Sequence, residues 1–216
     1  RKGATITLEK IERVFSGAET FFVINSEGEV ATWGGFDESN DFPHELFSAG
    51  KMIKNIVASY SVGISGEFFA ALLVDGKVID WGSIGHIDQS AFSPQSLSEN
   101  IMEISGTGQT FAALDKNGIV TLWGNTNSDS YDISMDQYSG VSNIKASPSG
   151  GGEYLITLNS GDYVIWGHKD NPTPMVYEVQ YAKVDMLLGG TIATKSNGEA
   201  YVIGGSDIYQ MNYSVN

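Results

Sequence analysis

"GKVIDWG" (residues 76–82) and "GIVTLWG" (residues 118–124) are one phrase written twice: a turn glycine, a short apolar strand and a Trp-Gly stop. Aligned on that glycine, the chain shows five copies, "GEVATWGG" from Gly28, "GKVIDWGS" from Gly76, "GIVTLWGN" from Gly118, "GDYVIWGH" from Gly161 and "GEAYVIGG" from Gly198. Five residues beyond each glycine stands Trp33, Trp81, Trp123, Trp166 or Ile203, and each is followed by glycine: Gly34, Gly82, Gly124, Gly167 and Gly204. All 4 tryptophans of the chain fall in this one slot, which chance does not arrange. A period in the forties is the mark of a repeat architecture.

The units extend upstream. A strand-like run precedes each glycine, such as "FFAALLVD" and "TFAALDKN", and an apolar pair three apart lies further back: Ile11/Val14, Ile53/Ile56, Ile101/Ile104, Val141/Ile144 and Tyr181/Val184. Longer connections fall at "SYSVGI" (59–64) and "PSGGG" (148–152), the loop positions where a repeat tolerates variation. "SEG", "VDG", "KNG", "NSG" and "SNG" read as two-residue hairpin turns, since Gly and Asn accept positive φ cheaply. In the third strand Trp123 and Thr121 point one way, Leu122 and Val120 the other. Both faces are apolar, so both need covering. Small residues in the second strand (Ala70, Ala71, Ala112, Ala113, Ala193) let neighbouring sheets come close.

Sheets stacked on both faces with this period predict an all-β fold, a β-propeller of five four-stranded blades. The Trp is expected to fill the seam to the next blade, and the Gly to let the chain leave the strand at once. The units run over 11–50, 51–98, 99–139, 140–178 and 179–216 of a single domain. The segment 1–10, with its alternating "ATITL" (4–8), is expected to pair with the last unit and close the ring.

Composition narrows function by exclusion. Twelve basic residues stand against 26 acidic ones, a net charge of −14 that repels phosphate backbones and favours basic partners. Cysteine is absent, which removes disulfides, thiolate metal sites and a Cys nucleophile. The longest apolar run, "FFAALLV" (68–74), is far short of a membrane span. "RKGATITL" (1–8) has no signal-peptide apolar region, so the expectation is a processed chain or one cut from something larger.

These units resemble the repeat of the regulator of chromosome condensation family, with "ISGTGQTFAALDKNGIVTLWG" (104–124) as the nearest copy and the likeness running from Ile11 to about Gly205. The eukaryotic family is normally seven-bladed, with a "GQLG" segment after the Trp-Gly that none of the five units has. Its founder's roles, nucleotide exchange on a small GTPase and docking on chromatin, depend on loops with no counterpart here, so no residue is carried over. The short period looks more like repeats in large bacterial surface and secreted proteins, where "YSGVSNI" (138–144) fits the usual lead-in to the next unit. That resemblance implies an exported binding module of an adhesin or virulence-associated protein.

Each motif that imitates catalytic or ligand-binding chemistry has a plainer reading. "GTGQT" (106–110) lacks the Lys-Ser/Thr ending of a phosphate loop and is a connection between strands. "SPSGGGEY" (147–154) reads as a loop insertion rather than an anion nest. Asn125, Asn127, Asp129 and Asp136 imitate a calcium loop, but Asn opens it and Ser130 replaces the turning Gly, so a solvated acidic loop is the reading. His44, His86 and His168 fall at unequal offsets after a Trp-Gly and make no metal set. No serine sits in a nucleophile elbow, and pairs such as Asp37/Glu38 follow from the acidic surface.

The expectation is a non-catalytic, cofactor-free binding module, secreted or on the bacterial cell surface. Its partner would be another protein, basic ones included, or a host-surface ligand. Nucleic acid and membrane insertion are excluded. Recognition is expected from the variable segments 35–50, 83–98, 125–138 and 168–178, with Phe36, His44, Phe92, Tyr131, Tyr138 and Tyr177 as anchors. Two other classes stay open: a glycan-binding propeller lectin, which a glycan array would reveal, and an intracellular effector promoting exchange on a small GTPase, which a nucleotide-release assay would reveal.

Overall fold

The computed structural model describes residues 9–17, 19–34, 43, 50–60, 66–84, 97, 100–108, 110–124, 137–147, 153–166, 175–177, 182–187, 190–204 and 207–210. They build five antiparallel sheets, one from each sequence unit. Sheet 1 is β1 (Ile11–Ser16), β2 (Thr20–Asn25) and β3 (Val30–Gly34). Sheet 2 is β4 (Ile53–Tyr60), β5 (Gly66–Leu73) and β6 (Val78–Ile84). Sheet 3 is β7 (Ile101–Thr107), β8 (Thr110–Asp115), β9 (Val120–Gly124) and β10 (Gln137–Tyr138). Sheet 4 is β11 (Val141–Ala146), β12 (Tyr154–Leu158), β13 (Tyr163–Trp166) and β14 (Met175–Tyr177). Sheet 5 is β15 (Lys183–Leu187), β16 (Gly190–Thr194), β17 (Ala200–Gly204) and β18 (Asp207–Gln210). Each is a meander of nearest neighbours, the cheapest pairing for a chain of short strands and tight turns.

The apolar pair three apart has a structural cause. Residues i and i+3 of a regular strand face opposite ways. Here an extra residue intervenes: Ile53 pairs with Leu73, but Asn55 pairs with Leu72, so Lys54 is bulged out and Ile56 returns to the face of Ile53. The same register shift separates Ile11 from Arg13, Ile101 from Glu103 and Val141 from Asn143. The four bulged residues, Glu12, Lys54, Met102 and Ser142, are all exposed.

The core is a series of seams. Phe22, Ile24 and Val30 of sheet 1 pack on Ile53, Ile56, Phe69, Ala71 and Trp81 of sheet 2. Phe68, Ala70 and Leu72 of sheet 2 pack on Ile101, Ile104, Phe111, Ala113 and Trp123 of sheet 3. Ala112, Leu114, Val120 and Leu122 of sheet 3 pack on Val141, Ile144, Tyr154, Ile156, Val164 and Trp166 of sheet 4. Leu155 of sheet 4, with Tyr163 and Ile165, meets Val184 and Ala193 of sheet 5, with Tyr201.

In sheets 2, 3 and 4 the tryptophan therefore fills the seam to the preceding sheet, not to the next one as the sequence suggested, while Trp33 of sheet 1 fills no seam among the described residues and is exposed. Trp81 stacks on Phe69 of its own sheet, at 5.5 Å between ring centres and 23° between planes, and stands edge-on to Phe22 of sheet 1 at 5.7 Å. The direction is set by register, because Trp81 pairs with Phe69 and so shares the face of Ile53 and Ile56. First strands of successive sheets pack together, β1 on β4, β4 on β7 and β7 on β11, so they line the axis while the later strands fan outward.

The hairpins also differ from expectation. Asp115 N–H donates to the Ile119 carbonyl at 2.9 Å, and Gly118 N–H donates to the Asp115 carbonyl at 3.1 Å. That closes a three-residue loop with one left-handed residue, not a two-residue turn with two. Gly118 supplies it at φ 76°, and the turn glycines of the other four hairpins do likewise. The glycine also serves the next sheet: its carbonyl accepts from Val141 N–H at 2.9 Å, and a Cβ on Gly118 would sit 2.8 Å from the Val141 carbonyl oxygen.

Candidate functional site

The sheets give the molecule two ends. One carries the β2–β3-type hairpins and the starts of the axial strands. The other carries the axial strands' C-terminal ends and the Trp-Gly exits. At the exit end Gly34, Gly82 and Gly124 adopt φ of 90°, 115° and 111°. A Cβ on Gly82 would run into the Glu67 carbonyl oxygen, so only glycine lets the chain turn off the sheet there.

The exit end holds a cleft of about 400 Å³ lined by Ser16, Gly17, Ile56, Val57, Ala58, Ser105 and Gly106, from the ends of β1, β4 and β7. Its walls are small because the axial strands converge. A Cβ on Gly106 would lie 2.5 Å from the Ala58 carbonyl oxygen, and one on Gly17 would overlap the Glu67 carboxylate. Buried polar groups tie the seams beneath it. Glu19 N–H donates to Glu67 Oε1 at 3.2 Å between sheets 1 and 2. Ser59 Oγ donates to the Gly108 carbonyl at 2.5 Å between sheets 2 and 3. Between sheets 3 and 4, Thr107 Oγ1 donates to the Ser147 carbonyl at 3.1 Å, Ala146 N–H donates to Ser105 Oγ at 2.8 Å, and Thr110 Oγ1 lies 3.1 Å from the Tyr154 hydroxyl. Bonds of this kind fix the rim and offer no nucleophile–base pair.

Electrostatics at the axis are local. Glu103 on β7 is half-buried, receives Asn143 Nδ2 at 3.3 Å and the Ile144 N–H, and has Lys54 and Lys145 nearby. Burial outweighs these partners and raises its pKa above the ordinary 4.5. Asp185 on β15 goes the other way, held below 3.8 chiefly by Lys183 at 2.5 Å.

Of the expected anchors, Phe36, His44, Phe92 and Tyr131 lie outside the described residues, as do His86 and His168. Tyr138 and Tyr177 fall on β10 and β14, where Tyr138 pairs with Val120 and Tyr177 with Tyr163. Each partner stands two residues past its turn glycine, so these two tyrosines share one register position near the hairpin end. Part of segments 125–138 and 168–178 is thus the fourth strand of sheets 3 and 4. Gly167 and the calcium-like run 125–136 lie outside the described residues, as does segment 1–8. Among the described residues no three His, Asp or Glu side chains converge as a metal set, and no helix is long and apolar enough to cross a membrane. The sequence reading missed the axial cleft, whose signal was the run of Ser, Gly and Ala at the C-terminal ends of the axial strands.

The chain matches no known family profile and no curated protein sequence. Solved structures do match it. Yeast RCC1 (Prp20), seen bound to Kap60, aligns with 91% of this chain and 56% of its own at a TM-score of 0.63 and 16% identity. Prp20p from Saccharomyces cerevisiae, studied for its binding to Gsp1p and histones, gives 0.62 at 16% identity over 91% and 57%. Human WBSCR16 gives 0.60 at 13% identity over 90% and 61%. The chain thus spans between 56% and 61% of the length of these proteins. What the sheets, the seams and these likenesses establish together is the fold, a β-propeller of the RCC1 type.

Proposed function

We propose that this chain is a non-catalytic protein-binding propeller that meets its partner at the Trp-Gly end. The observation that carries the reading is the convergence of three left-handed exits, Gly34, Gly82 and Gly124, on the end that holds the axial cleft. Segments 35–50, 83–98 and 125–138 depart there from a rigid rim, the arrangement by which such folds vary their ligands. Support by analogy comes from the fold: yeast RCC1 is seen with Kap60, and Prp20p is described as binding Gsp1p and histones. The module is read as part of a secreted or cell-surface bacterial protein with a role in adhesion, and its acidity favours a basic partner. The domain is read as five blades closed into one ring, with residues 4–8 as the closing strand. Four apolar side chains of sheet 1, Ile11, Val14, Phe21 and Trp33, stand about half exposed on the face that closure would cover, and removing that apolar area from water favours closure.

Photo-crosslinkers placed at Phe36, Phe92 and Tyr131, with controls in the hairpins of sheets 1 and 5 at Glu27 and Ser196, test the reading. One protein recovered from the first set and not from the second is the expected result. Recovery only through the hairpins, selective binding on a glycan array, or faster nucleotide release from a panel of small GTPases would each replace it.

A further inference from the structure

Seven large apolar side chains stand in solvent among the described residues: Ile11, Val14, Phe21, Trp33, Met52, Val74 and Met102. The repeat itself sorts them into two kinds. The first four hold positions whose counterparts are buried in other sheets, as Ile53, Ile56, Phe69 and Trp81 are in sheet 2. They are seam residues. The other three hold positions where neighbouring units are not apolar. Met52 precedes its axial strand where Lys10, Asn100 and Gly140 precede theirs. Val74 follows its second strand where Ser26, Lys116 and Asn159 stand. Met102 is the bulged residue, matched by Glu12, Lys54 and Ser142. The fold asks for nothing apolar at these places.

The three lie together at the hairpin end, across the boundary of sheets 2 and 3. Val74 N–H donates to the Met52 carbonyl at 2.8 Å, Lys54 Nζ to the Met102 carbonyl at 2.6 Å, and Ile101 N–H to the Gly76 carbonyl at 3.1 Å. Their exposures are 44%, 58% and 51%, so a partner has apolar surface to remove from water. Lys51, Lys54, Lys77 and Lys116 stand exposed around them. Of the nearby carboxylates in sheets 2 and 3, Asp75 is exposed, 3.9 Å from Lys77. Asp115 is buried, accepting from Asn117 N–H at 2.8 Å and Ile119 N–H at 2.9 Å, and Glu103 turns toward Asn143. Glu27 and Glu29 belong to the sheet 1 hairpin beyond Lys51, and Glu29 is bonded to Asn25 Nδ2 at 2.8 Å. A cation-rimmed apolar patch thus sits on a chain of net charge −14.

We propose that the Met52–Val74–Met102 patch is a second docking surface, on the end opposite the exit face, and that it takes an acidic protein segment carrying large apolar side chains. Methionine suits such a role, since its flexible, polarisable side chain adapts to varied apolar groups. The lysines attract and orient the segment, and the two methionines and the valine hold it. Nucleic acid is disfavoured because the patch has no aromatic ring for base stacking and the rest of the surface repels phosphate.

The test is fluorescence anisotropy with the whole chain and three short labelled peptides. In the first, Asp and Glu alternate with Leu and Phe; in the second, Lys replaces the acids; in the third, Ser replaces the apolar residues. Only the first is expected to bind well, with affinity falling as salt rises. The triple variant Met52→Asn, Val74→Asn, Met102→Ser carries residues that other units use at these positions, so its melting temperature should be unchanged. It should weaken the peptide by about tenfold or more. Lys77→Glu with Lys116→Glu should weaken it comparably and flatten the salt dependence. No binding of the first peptide, or equal binding by the triple variant, would overturn the proposal. So would self-association in light scattering that the triple variant abolishes, which would make a second copy the occupant.

Discussion

Each unit turns on two residue types with different duties. The tryptophan supplies area and a stacking partner: Trp123 is 6% exposed and lies 5.1 Å from Phe111 at 23° between planes. Trp123→Ala removes that wedge from between sheets 2 and 3 and is expected to cost roughly 3–5 kcal/mol in denaturant unfolding. Gly82→Ala adds one methyl, yet it meets both a left-handed backbone and the Glu67 carbonyl, and should lower the melting temperature more than Gly198→Ala. Gly198 has φ 88° but open space around the site of a Cβ, so the comparison separates collision from backbone preference. Glu103 makes the pH prediction. Its folded pKa is raised by burial, so the folded chain keeps a proton that the unfolded chain releases near 4.5. Its contribution to stability must then fall as pH rises from 4.5 through the folded value. Melting Glu103→Gln beside the parent from acid to neutral pH should show that decline reduced in the variant. A steeper decline would put the dominant influence on Lys54 and Lys145 instead.

At the scale of the strand and hairpin, the pattern was legible before its cause. The apolar pair three apart stood out in the sequence, but no strand period explains it. Only the paired register shows that Lys54 and its counterparts are bulged out, which is why both members of the pair reach one seam. Turn residues were equally visible, whereas loop length was not. Gly-containing turns of two or three residues look alike in sequence, and the choice depends on which backbone groups pair across the strands. The hairpin of sheet 3 shows what the three-residue loop requires. Asp115 is 8% exposed, and its Oδ1 accepts from Asn117 N–H and Ile119 N–H. Asp115→Ala should leave those donors without their acceptor and cost about 1–3 kcal/mol. Asp115→Asn keeps the acceptor and should recover most of it.

For the whole molecule, direction along the ring is what matters. Three described seams join the Trp face of one sheet to the opposite face of the sheet before it, so the Trp33 face of sheet 1 is a socket of the same kind. Trp33 stacks on Phe21 at 5.8 Å and is 53% exposed. Closure by the chain's own fifth sheet predicts that subtracting the emission spectrum of Trp33→Phe from that of the parent leaves a blue component. Removing residues 1–10 should shift that component to the red. A red component in the intact chain would show the socket open.

The repeat, its strands, the turn and exit glycines and the all-β class were determined by the sequence alone, because alternation and positive φ are local properties that residue type controls. The side of the seam that each tryptophan fills, the bulges, the axial cleft and the pairing of Tyr138 and Tyr177 with the starts of β9 and β13 were decided only by tertiary structure. They depend on register, set by strand pairs up to about twenty positions apart, and on which sheet lies next door, set by contacts between residues forty or more positions apart. The same dependence made the Met52–Val74–Met102 patch invisible in the sequence. Its members are scattered along the chain, and only the assembled sheets show that these three have no core to enter.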